Sequence, residues 1–187
     1  MDSPFVVGLA IALFLVLVFV IGNYNRLVRV RQHVRDSFAG IDVELKRRYE
    51  LVPNLVATVR GYATHERALL ERLVELRNRA AGNHGSPDSQ SRDENAMLRE
   101  LRSVFVLAEG YPALRSDRQF LALQRELATT EDRIAAARRY YNGNVRELRQ
   151  LCEMFPSSLI AKWFGFTAPE YFDLDDALER IVPRVDV

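Results

Sequence analysis

Residues Phe5 to Ile21 read FVVGLAIALFLVLVFVI, a run with no charge and no strongly polar group. Its seventeen residues rise about 26 Å as a helix, slightly short of the ~30 Å hydrocarbon core of a bilayer. Gly22 and Tyr24 can extend it, and Ser3-Pro4 suits a helix start, where proline fits the first turn. A cleaved signal peptide would carry Lys or Arg before the run and a small-residue site after it. Here Asp2 precedes it and no such site follows. The expectation is an uncleaved single span, with residues 1–23 as the anchor and the lipid bilayer engaged through residues 5–21. Arg26, Arg29, Arg31 and Arg35 follow the run, and no Lys or Arg precedes it. The positive-inside rule therefore places the N-terminus outside and the body of the protein in the cytoplasm.

The remainder reads as helices. From Leu27 the apolar positions Leu27, Val30, Val34, Phe38, Ile41 and Leu45 are spaced by threes and fours, and no turn signal separates them from the span. One long helix is predicted to end near Tyr49, with Pro53 opening a second that ends near Ala81-Gly82. Ser91 with Glu94, and Ser116 with Gln119, are capping-box pairs predicted to open the third and fourth helices. The fourth carries a seam from Phe120 to Phe155 whose spacings of three and four never slip, with Thr130 and Asn144 as polar positions within it, and Pro156 ends it. No strand pattern competes. The predicted fold is all-α: a transmembrane helix continuing into an antiparallel four-helix bundle over 24–166, with a C-terminal tail at 167–187.

The chemistry-bearing residues do not assemble into a known catalytic pattern. Twenty-six bases against 25 acids leave a net charge of +1, so composition gives no support for binding nucleic acid. One cysteine, Cys152, excludes an internal disulfide, and its apolar neighbours favour an inert thiol. His65-Glu66 begins like a zinc-protease motif, but position 69 is Leu and the second histidine is missing. There is no glycine-rich phosphate loop and no Glu-x-x-His pair for a di-metal site. The expectation is a non-enzyme, with no catalytic residue, metal or cofactor.

Three stretches resemble the LemA family of bacterial membrane proteins: YNRLVRVRQHVRDSFAGIDVELKRRYELVPNLVATVRGYATHE at 24–66, EGYPALRSDRQFLALQRELATTEDRIAAARRYYN at 109–142, and FPSSLIAKWFGF at 155–166 with YF at 171. Two departures stand out. The family's second Tyr-Asn is Leu148-Arg149 here, and its EAYP is EGYP. The resemblance implies an N-terminal membrane helix, a helical bundle and the bacterial cytoplasmic (inner) membrane. It implies no reaction and no cofactor. It also suggests an accessory role beside another membrane or envelope protein, such as a membrane metalloprotease; homo-oligomerisation stays open.

Two candidate surfaces follow. Lys46-Arg47-Arg48 would lie about 37 Å along an unbroken helix from the span, several Debye lengths from the headgroups. That distance argues against lipid as the ligand of the triplet. Because it belongs to the stretch carrying the resemblance, the hairpin tip from Lys46 to Asn54 (Lys46, Arg47, Arg48, Tyr49, Pro53, Asn54) is the expected partner contact of a scaffold module. The second surface would face the bilayer, with Arg26, Arg29 and Arg31 after the span and Lys162, Trp163, Phe164 and Phe166 near the end of the bundle. For those aromatics the commoner fate is packing under the base of the bundle; the alternative is contact with lipid, in a membrane-shaping or membrane-sensing protein.

Overall fold

The computed structural model describes residues 4–174. Among them it is all-helical: α1 (Pro4–Arg60), α2 (Arg67–Gly82), α3 (Pro87–Glu109), α4 (Pro112–Arg115), α5 (Arg118–Glu153) and α6 (Ser157–Trp163), with no strand. Ser3, read as part of the helix start, and the tail beyond residue 174 lie outside the described residues. The chain divides into two compact units, Met1–Ser37 with Asn142–Pro169, and Phe38–Tyr141 with Glu170–Val187.

In the first unit, α1 is long and apolar enough to cross a membrane. Its side chains from Val6 to Phe19 are exposed. Beyond Tyr24 the pattern becomes amphipathic, and Leu27, Val30 and Val34 are buried at the predicted spacing. On α5, Val145, Leu148 and Leu151 are buried in the same unit. Two polar links tie the helices together: Arg26 pairs with Glu147 at 3.6 Å, and Asn144 Nδ2 donates to the His33 carbonyl at 3.4 Å.

The second unit departs from the predicted segmentation. α1 does not stop near Tyr49 but runs on to Arg60 with Pro53 inside it. Proline in a helix interior removes one i→i−4 hydrogen bond, which here orphans the carbonyl of Tyr49. Arg77 of α2 supplies the missing donor, its Nε reaching the Tyr49 oxygen at 2.9 Å. The apolar stripe Val52, Leu55, Val56 and Val59 then stays buried on the same helix. The turn comes at 61–66, where Gly61, Tyr62 and Ala63 donate back to Thr58 and Val59. Residues 46–54 are therefore helix, not a hairpin tip.

The caps also move. Ser86 caps α3, accepting from Ser89 N at 3.2 Å, while Ser91 sits buried inside the helix with its hydroxyl on the Asp88 carbonyl. Asp117, not Ser116, holds the start of α5, its Oδ1 accepting from Phe120 N at 2.8 Å. Of the α5 seam predicted in this unit, Phe120, Leu123, Leu127, Thr130, Ile134 and Tyr141 are buried, and Ala137 is half-buried. Phe172 is buried as well, ring to ring with Phe38 at 6.1 Å. The Tyr141 hydroxyl donates to the Glu170 carbonyl at 3.0 Å, and burial pushes its phenol up to about 12.

Candidate functional site

The triplet at 46–48 splits by helical register. Along α1 the core positions of the second unit are Ile41, Leu45, Arg48, Val52, Leu55 and Val59, at steps of four and three. Arg48 therefore takes a core position, at 0% exposure, while Lys46 and Arg47 face solvent. Its guanidinium pairs with Glu94 of α3 and, through Nη1 at 2.7 and 2.9 Å, with both carboxylate oxygens of Glu131 of α5. The Tyr49 hydroxyl donates to the second oxygen of Glu94. One cation thus joins three helices. Burial opposes its charge, but the carboxylates of Glu131 and Glu94 outweigh burial and hold the guanidinium above its ordinary pKa. Burial, then the Glu94 charge, pushes the Tyr49 phenol far up, so it stays a donor. Arg48 and Tyr49 thus cannot be surface contacts. Of the six residues expected at a partner surface, Lys46, Arg47, Pro53 and Asn54 are exposed. Lys46 pairs with Asp42 at 2.8 Å and lines a cleft of about 250 Å³ with Glu50, Arg77, His84 and Gln90.

In the first unit the C-terminal aromatics divide. α6 ends in a Schellman motif: Phe166 N donates to the Ala161 carbonyl at 2.8 Å and Gly165 N to Lys162 at 3.4 Å, with Gly165 at φ +69°. That turn sends Phe166 inward, to 6% exposure, where the Arg31 guanidinium stacks on its ring at 4.7 Å. Trp163 stays 83% exposed and Phe155 79%. Met154, Leu159 and Phe164 are exposed beside them, as is Lys162. Of Trp163, Phe164 and Phe166, Phe166 alone is buried. Tyr24, at the end of the apolar stretch of α1, meets Phe164 edge-on at 4.8 Å and Phe166 at 5.7 Å. The exposed apolar face therefore adjoins the end of the spanning-length segment. Arg26 and Arg29 are exposed near it, while Arg31 is half-buried.

The remaining candidates are scattered. His65 is exposed in the 61–66 turn. Cys152 is half-buried, with Sγ 3.6 Å from the Phe166 carbonyl, and burial raises its thiol pKa, which disfavours thiolate chemistry. No group of three His, Cys, Asp or Glu side chains is placed to hold a metal among the described residues.

Fold and site together define a class: all-helical proteins with an N-terminal helix long and apolar enough to span a membrane and a charged knot buried among their helices. Within that class the sequence matches the LemA family over residues 37–187, and the chain belongs to that family. It is similar to Protein LemA of Metamycoplasma hominis (strain ATCC 23114 / DSM 25592 / NBRC 14850 / NCTC 10111 / PG21). The two are 23% identical over 172 residues, covering 89% of this chain and 74% of that protein.

Proposed function

We propose that this protein is a non-enzymatic, membrane-anchored helical module that works at the bilayer surface. The apolar part of α1 is the span, with the N-terminus outside and the bundle in the cytoplasm, and α1, α2, α3 and α5 pack as an antiparallel four-helix bundle. The α6 face is a second membrane contact that lies in the interface and lets the module sense or shape the bilayer. Trp163 carries this reading: an indole exposed to 83%, flanked by Leu159 and Lys162, is costly in water and well suited to the headgroup boundary. Fully burying a large apolar side chain is worth roughly 1.5–3 kcal/mol, so a face of several such groups supplies a useful interfacial affinity.

The full chain, reconstituted in a bilayer with Cys152→Ser and a spin label at Leu159→Cys, tests this. Accessibility to oxygen above that to a water-soluble nickel chelate supports immersion; the reverse order refutes it. A scaffold role is the second reading, favoured by the exposed, unburied part of the 46–54 stretch. In it Lys46, Arg47, Pro53 and Asn54 contact another membrane or envelope protein, a membrane metalloprotease being one candidate.

A further inference from the structure

An open cavity of about 370 Å³ lies in the first unit between α1 and the segment that follows α6. Its lining includes Arg31 and Arg35 on one side and Gly165, Phe166, Thr167 and Pro169 on the other. Among the described residues no carboxylate lines it. Arg31 and Arg35 are one helical turn apart, so their charges face the same space and repel. Neither makes an ion pair among the described residues, although α1 pairs Arg26 and Lys46 with acids. Arg31 is held in place by its stack on Phe166 at 4.7 Å, which orders one fork in advance of any ligand. Thr167 adds a hydroxyl donor at the opposite wall.

From this arrangement we infer that the cavity binds a phosphate-bearing anion. Two guanidinium forks with a hydroxyl opposite match the several oxygens of a phosphate, and its charge relieves their repulsion. The inference does not depend on α6 touching lipid. With α1 in the bilayer as proposed, the ten residues from Ile21 to Arg31 add about 15 Å. The headgroup layer is only about 5–7 Å deep on each side. A soluble phosphorylated compound, or a lipid carrying a phosphomonoester on a tall headgroup, reaches the cavity; a phosphodiester at the leaflet surface does not.

The full chain in phosphatidylcholine nanodiscs separates the sources. One arm titrates pyrophosphate by calorimetry. The other counts lipids retained in native mass spectrometry after doping with phosphatidylinositol 4-phosphate or phosphatidylglycerol. Binding in either the pyrophosphate or the phosphatidylinositol 4-phosphate arm is expected, with affinity falling about tenfold or more in R31Q/R35Q. The same charge loss at exposed positions, K46Q/R47Q, should leave it within about twofold. Thr167→Glu, which puts a carboxylate into the cavity without removing either arginine, should abolish binding while helicity persists. No binding in either arm overturns the assignment, as does an equal loss in R31Q/R35Q and K46Q/R47Q, or unchanged binding in Thr167→Glu.

Discussion

Three adjacent bases on α1 have three different environments, and Arg48 is the one that holds the fold. Removing it leaves Glu94 fully buried without its cation, and breaking a buried pair from one side costs about 3–5 kcal/mol. Arg48→Gln should therefore lower the unfolding free energy of the full chain in detergent by about that much, with Glu94→Gln partly rescuing it. Lys46→Gln and Arg47→Gln should each stay within about 0.5 kcal/mol, as ordinary surface changes do. Equal effects at 46, 47 and 48 would contradict the register assigned here. Read from the sequence alone, Arg48 falls on the surface with its neighbours; its core position shows only once the helix is known to continue through Pro53, which completes the 41, 45, 48, 52, 55, 59 rhythm. Its partners were not legible either: Glu94 and Glu131 lie 46 and 83 positions away and look like any solvated acid on a helix.

At the scale of the elements, Pro53 and Arg77 form one device. The proline leaves the Tyr49 carbonyl without a helical donor, and the arginine replaces it from α2. Arg77→Met should cost roughly 1–2 kcal/mol in the parent and clearly less beside Pro53→Ala, which restores a local N–H. Additive losses in that double-mutant cycle would uncouple the two. The predicted helix end near Tyr49 failed for this reason, since local rules stop a helix at proline and only a tertiary contact lets it continue. The capping predictions failed in a related way. Ser91 and Glu94 had the right spacing, but both are claimed by the core. Asp117 was the better cap for α5. The Phe120 N–H, and then the Tyr62 hydroxyl at 3.0 Å, hold its carboxyl below the ordinary range. A depressed folded pKa gives stability that is present above the unfolded value of about 3.9 and lost as pH falls through the folded one. Wild type and Asp117→Asn should thus differ most in melting temperature near neutral pH and converge in strong acid; a difference that stays constant with pH would rule this out.

For the whole molecule, the all-α class and the spanning-length helix were legible because both rest on long, regular patterns. The fate of the C-terminal aromatics was not. α6 has only seven residues, too few for periodicity to assign a face, and the Schellman turn at Gly165 decides which rings go in. That turn buries Phe166 and leaves Trp163 exposed, stacked on the Phe164 ring that meets Tyr24. Trp163 is the sole tryptophan of the chain, so it reports on its own surroundings without any substitution. The decisive measurement is its fluorescence in the full chain reconstituted into bilayers, with lipids brominated along the acyl chain as one quencher and aqueous acrylamide as the other. The proposed interfacial seat of α6 predicts a blue-shifted emission quenched strongly by the shallow brominated lipids and weakly by acrylamide. An emission like that of tryptophan in water, quenched by acrylamide and indifferent to the brominated lipids, would contradict it.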